Sequence, residues 1–127
     1  MSRGEISGNM AVNQGGGVNV GGTFIMKGGE ISGNTSGTGG GVNVTNMAVS
    51  IFQMVSGTIY GNTEANTALR NNSPNGAALF KTANGTAEYG TFDASDIWVP
   101  GGDITTAVGT AGNTNNTIKY LNGVAVP

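Results

Sequence analysis

Gly28-Gly29-Glu30-Ile31-Ser32-Gly33-Asn34 opens a stretch that continues through Gly39-Gly40-Gly41-Val42-Asn43-Val44 to Phe52-Gln53-Met54, and each of these phrases occurs more than once in the chain. Gly4-Glu5-Ile6-Ser7-Gly8-Asn9 carries the first phrase 25 residues earlier, and Gly57-Thr58-Ile59-Tyr60-Gly61-Asn62 carries it 28 residues later. Gly15-Gly16-Gly17-Val18-Asn19-Val20 precedes its copy by 24 residues, and Phe24-Ile25-Met26 precedes Phe52-Gln53-Met54 by 28. Four extra residues within Thr45 to Ile51 account for that drift. An insertion between two matching phrases belongs in a loop.

Within each phrase the apolar residues alternate: Val18/Val20, Phe24/Met26, Val42/Val44 and Phe52/Met54. Period two predicts strands with one buried face, and Gly with β-branched residues throughout opposes helix. Three short strands in a repeat of about 25 residues match the repeat size of a parallel β-helix. The expectation is therefore an all-β, right-handed parallel β-helix (a solenoid) of about four to five rungs with an irregular C-terminal cap. Equivalent residues would then stack roughly 4.8 Å apart, the strand spacing. Ile6, Ile31 and Ile59 would form one buried ladder, Val18 and Val42 another, and Phe24 and Phe52 a third. Asn9, Asn34 and Asn62 would form a ladder of amides at a turn, hydrogen-bonded along the stack.

The chain reads as a single domain over 1–127, with regular repeats over 1–62 and degenerate repeats and cap over 63–127. In the second part Ala65 to Asn75 reads as a polar turn segment. Gly76-Ala77-Ala78-Leu79-Phe80 keeps the small-then-apolar form, with Ala78 and Phe80 as the inward pair. Gly85 to Phe92 is a strand candidate. Ile97-Trp98-Val99-Pro100-Gly101-Gly102-Asp103-Ile104 follows Phe24 to Ile31 position by position, which would point Ile97 and Val99 inward and Trp98 outward. Ile118/Tyr120 and Val124/Val126 would make the last coil.

Composition narrows the function. Only 9% of residues are charged and the net charge is -2, without a basic cluster, so nucleic acid is not an expected partner. There is no Cys and no His, which removes thiolate sites, disulfides and the commonest general base and metal ligand. The Gly triplets lack the Lys-Ser or Lys-Thr of a phosphate loop and read as corners. No signal peptide is expected from Met1-Ser2-Arg3-Gly4-Glu5, and the longest apolar run, Met47 to Val55, is too short for a transmembrane segment.

These phrases resemble the Gly-rich repeats of polymorphic outer-membrane proteins and related adhesin-like proteins of bacterial surfaces. The GGxIxGN phrases with GGGVxV over Gly4 to Asn62 carry the resemblance. It implies a β-helical passenger, display on the cell surface and adhesion, although the chain shows no C-terminal barrel.

The acids are Glu5, Glu30, Glu64, Glu88, Asp93, Asp96 and Asp103. Glu5 and Glu30 would be neighbours on an outer face until Thr58 ends the row. Asp93, Asp96 and Asp103 form the best carboxylate cluster, a candidate calcium site set against ordinary solvated turn aspartates. No catalytic residue, cofactor or resident metal is expected. An ice-binding Thr lattice is not supplied by Thr105-Thr106 and scattered single threonines. Trp98 is the candidate partner contact.

Met1 aligns with Met26 and Met54, which leaves the first coil open. Unpaired backbone on an open edge invites association. The expectation is a structural or adhesive surface protein, extracellular or on the cell surface, whose partner is itself through end-to-end stacking into an oligomer or filament, or which is the C-terminal part of a longer passenger. The alternative is a solenoid that binds or modifies glycans, with surface glycans or proteins of a host or neighbouring cell as partners.

Overall fold

The alternating Val, Ile, Phe and Met phrases form strands because extended backbone puts every second side chain on one face. The computed structural model describes residues 1–104 and 113–126. The strands are β1 (Glu5–Ser7), β2 (Val18–Val20), β3 (Thr23–Met26), β4 (Glu30–Ser32), β5 (Val42–Val44), β6 (Ile51–Met54) and β7 (Gly57–Ile59). After a 3-10 turn at Thr67–Leu69 come β8 (Leu79–Lys81), β9 (Thr86–Phe92), β10 (Trp98–Asp103), β11 (Asn113–Thr114), β12 (Ile118–Leu121) and β13 (Val124–Ala125). The first sheet runs β1-β4-β7-β12-β13, the second β3-β6-β9-β10 and the third β2-β5-β8-β11.

The first nine strands are dealt in rotation to the three sheets, and each of the first six pairs in parallel with the strand three places on. Their register follows the phrases: Ile6 opposite Ile31 opposite Ile59, Val18 opposite Val42, Phe24 opposite Phe52. From β10 onward the direction reverses. β10 is antiparallel to β9, β11 to β8, and β12 to both β7 and β13.

The fold is therefore all-β but not the right-handed parallel β-helix that the repeats predict, and it is not a solenoid of four to five rungs ending in a cap. It consists of three mixed sheets, none closed on itself. The physical reason lies in the connections. The turn at Asp93–Asp96, where the Asp96 N–H donates to the Asp93 carbonyl, folds β10 straight back on β9. A strand returned by a tight turn is necessarily antiparallel. The match of Ile97–Ile104 to Phe24–Ile31 fails with it, since β10 occupies the outer edge of the second sheet.

The core lies between the sheets. Ile31, Val42, Val44, Phe52, Met54, Ile59, Leu79 and Ile118 are wholly buried, each burial contributing about 1.5–3 kcal/mol. Phe24 stacks on Phe52 with centroids 5.9 Å apart, and Tyr89 stacks on Tyr120 at 4.6 Å. In β8 the inward residue is Leu79, opposite Val42, while Phe80 lies half-buried opposite Asn43; of the expected inward pair, Ala78 is buried in the core and Phe80 is not. Ile118 and Tyr120 do face the core, but Val124 is 65% exposed in a hairpin on the sheet edge.

The insertion at Thr45–Ser50 is a loop, closed by a 2.5 Å contact between Thr45 Oγ1 and Ser50 Oγ. The triplet corners are set by Gly15, Gly39 and Gly76, all with φ near +63°. They are aligned by backbone bonds from Gly39 N–H to Asn75 O and from Gly15 N–H to Thr38 O.

Candidate functional site

Two regions bear on function: the edge formed by β1, β2 and β3, and the outer face of the second sheet around Trp98. Behind the first runs the amide ladder. Asn34 is wholly buried and its Oδ1 accepts from both the backbone N–H and Nδ2 of Asn9, each at 3.0 Å. Its Nδ2 donates to Ile6 O at 2.9 Å and to Asn71 Oδ1 at 3.0 Å. The third member is therefore Asn71 and not Asn62. After Ile59 the chain detours through Gly61 to Arg70, and Asn62 pairs its N–H with Asn115 O instead. The signal was present as an Asn-x-Ser phrase. Ser36 Oγ donates to Thr38 O, and Ser73 Oγ donates to Asn75 O, the equivalent position 37 residues on. Pro74 and a longer spacing hide the match.

β1, β2 and β3 stand together at one edge of all three sheets. Ile6, Val18 and Phe24 there are only partly buried, whereas Ile31, Val42 and Phe52 in the next layer are fully covered. Met10 and Val12 beside them are 82% and 90% exposed. Met1 caps part of β3: its amino group donates to Ile25 O, and Lys27 N–H donates to Met1 O, both at 2.6 Å. The alignment of Met1 with Met26 thus has a structural counterpart.

The Glu30 N–H donates to Gly4 O, and this sets the phase of the β1–β4 ladder. In a parallel pair alternate residues face the neighbour. Ile6 therefore turns its N–H and C=O toward β4, and Glu5 and Ser7 turn theirs away.

On the outer face of the second sheet, Trp98 is half-buried while Ile97 and Val99 are exposed, the reverse of the inward Ile97 and Val99 expected from alternation. The hairpin supplies the reason: Trp98 stands opposite Phe92 and packs edge-on against it at 5.2 Å. A Cβ added at Gly90 would lie 2.9 Å from the six-membered ring, so the indole lies over a bare stretch of strand. Its Nε1 donates to Glu88 Oε1 at 2.7 Å, and Gln53 Nε2 donates to the same oxygen at 3.2 Å. The Lys27 ammonium sits 4.6 Å from the Phe92 centroid.

The carboxylates do not converge. Glu5 and Glu30 are in register on the outer face of the first sheet, followed by Thr58 and then Lys119. Glu5 accepts from Ser32 Oγ at 2.9 Å. Tyr60 reaches Glu30 at 3.4 Å, and burial, with the Glu30 charge second, raises its pKa. Asp93 Oδ1 accepts from Ser95 and Ile97 N–H and so holds the turn, with Asp96 inside it at φ +62°. Asp103 stands at the far end of that ladder, opposite Glu88. The candidate calcium trio is not assembled, and among the described residues no three acidic side chains are placed to hold a metal.

Two depressions on the surface are open and polar. One of about 360 Å³ is lined by Thr35, Asn62, Arg70 and Asn72, and one of about 270 Å³ by Tyr60, Glu64 and Lys119. Thr105-Thr106 lies outside the described residues. Among those described, no helix is long and apolar enough to cross a membrane.

Compared with known protein families, curated proteins and solved structures, the chain finds no match in any of the three.

Proposed function

We propose that this chain is a non-enzymatic structural or adhesive protein of a bacterial surface that works by associating with copies of itself. The observation that carries the proposal is the edge made by β1, β2 and β3. Three strands end there together above half-covered Ile6, Val18 and Phe24, with Met10 and Val12 exposed alongside. Unpaired strand edges next to uncovered apolar surface favour pairing with another chain. The low charge supports close approach, and the resemblance of the GGxIxGN and GGGVxV phrases to adhesin-like repeats supports display outside the cell. Light scattering and negative-stain microscopy of the purified chain test the proposal. Discrete oligomers or fibres are expected, and a particle that stays monomeric as concentration rises overturns it.

A second reading is favoured by Trp98. An indole laid over Gly90 and tied to Glu88 is a rigid apolar platform of the kind that stacks on sugar rings. Under that reading a glycan array gives a signal that Trp98→Ala abolishes, and the same variant leaves self-association intact.

A further inference from the structure

We infer that the second copy docks edge to edge across a two-fold axis at Ile6, β1 pairing antiparallel with its own mate, so that association closes at a dimer. This rests on the self-association proposed above and specifies its geometry.

Three observations carry the inference. The first is the asymmetry between the ends of the sheets. β1, β2 and β3 contain no proline and no bulge. The opposite edge is blunted: β10 carries Pro100 and a register shift between Pro100 and Gly102, and β11 and β13 are two residues long. Proline, bulges and very short strands are the devices that prevent edge pairing. A head-to-tail contact needs an adhesive edge at both ends, and the described residues supply one. A single adhesive surface can satisfy itself only isologously, and an isologous contact closes.

The second observation is hydrogen-bond phase. Glu5 and Ser7 turn their N–H and C=O away from β4. With the two-fold at Ile6, Glu5 of one copy lies opposite Ser7 of the other, and each such pair exchanges two backbone bonds. That is the narrow, hydrogen-bonded pairing of an antiparallel ladder. A shift of register by one residue places Ile6, whose groups are already used, opposite Glu5 or Ser7.

The third observation is the sequence around that centre. Gly4 and Gly8, with φ of +99° and +68°, stand equally far from Ile6 and map onto each other across the axis. Glu5 meets a serine rather than a second glutamate, so no like charges stand directly opposite.

Sedimentation velocity over a concentration series, with Ser7→Pro beside the parent chain, tests this. The Ser7 N–H serves no bond to β4, so removing it spares the fold, and the circular dichroism of the variant should match the parent. Two backbone bonds per dimer are lost, so dimerisation should weaken about thirtyfold. Amide exchange gives a second readout that needs no variant: Glu5 and Ser7 gain protection with concentration, and Ile6 is protected throughout. Polymers that lengthen with concentration overturn the two-fold closure and leave self-association standing. A monomer at every concentration overturns both. A dimer indifferent to Ser7→Pro, with Glu5 and Ser7 exchanging freely, overturns the β1 seam alone.

Discussion

Asn34 shows how much one side chain can hold in a chain with so few charges. Its amide is wholly buried and joins Ile6 and Asn9 on one side to Asn71 on the other. Truncation deletes the four bonds that this buried amide makes to Asn9 N–H, Asn9 Nδ2, Ile6 O and Asn71 Oδ1, each worth about 0.5–1.5 kcal/mol net. Asn34→Ala is therefore expected to lose about 2–4 kcal/mol in urea denaturation, and Asn62→Ala less than about 0.5 kcal/mol, as for a surface change. Equal losses would return Asn62 to the ladder. Tyr120 is the opposite case. Its ring is buried against Tyr89, and its hydroxyl has no hydrogen-bond partner among the described residues. Burial, with Tyr89 and Asp103 adding to it, pushes its pKa up to about 12 from 10.0. The folded state thus favours the neutral phenol. That contribution is whole below pH 10, and is lost as pH rises from 10 toward 12. Tyr120→Phe should unfold at higher pH than the parent chain and, freed of an unsatisfied hydroxyl, gain about 1 kcal/mol at neutral pH.

At the scale of elements, the corners decide whether the parallel ladders can line up at all. Gly39 sits at φ +62°, and a Cβ there would lie 2.5 Å from Val42 O, a backbone atom that cannot turn aside. Gly22 has open space around its Cβ position and no such backbone. Gly39→Ala is expected to cost at least about 2 kcal/mol, from left-handed strain plus the contact, whereas Gly22→Ala should stay within about 0.5 kcal/mol; thermal melts of the pair check this. These corners were legible because a glycine triplet repeated at fixed distance has one economical explanation. The strands β1 to β7 and their registers were legible for a related reason, the recurrence of Ile, Val and Phe at one spacing. What followed Asn62 was not. Phrase matching reads similarity but not direction, so Ile97–Ile104 looked like Phe24–Ile31 although the Asp93 turn sends it backwards. Ile97 and Val99 were assigned inward by simple alternation, which the β9–β10 hairpin overrides. Asn71 was missed because the spacing jumped to 37 residues and Pro74 broke the phrase.

The whole molecule is graded from one end to the other. Ile6, Ile31, Ile59 and Ile118 form one continuous column, the last joined by the antiparallel pairing of β12 with β7. The lower three are fully buried, and Ile6, in the edge strand of the described sheet, is only partly so. The same step repeats in the other sheets, from Val18 to Val42 and from Phe24 to Phe52. A core side chain truncated where neighbours surround it loses its transfer energy and leaves a cavity, while one at an open layer loses less and leaves none. Under dilute, monomeric conditions Ile31→Ala, Ile59→Ala and Ile118→Ala should each cost about 2–4 kcal/mol, and Ile6→Ala about half as much. Local opening should follow the same gradient, with amides of β1 to β3 exchanging first and those of β5 to β7 last. Raising the concentration covers the open layer, so the cost of Ile6→Ala should climb toward that of its neighbours while the other three stay fixed. A cost for Ile6→Ala that already equals that of Ile59→Ala in the dilute chain would mean the layer is covered within one molecule, and the edge of β1 would then have no free face to offer a second copy.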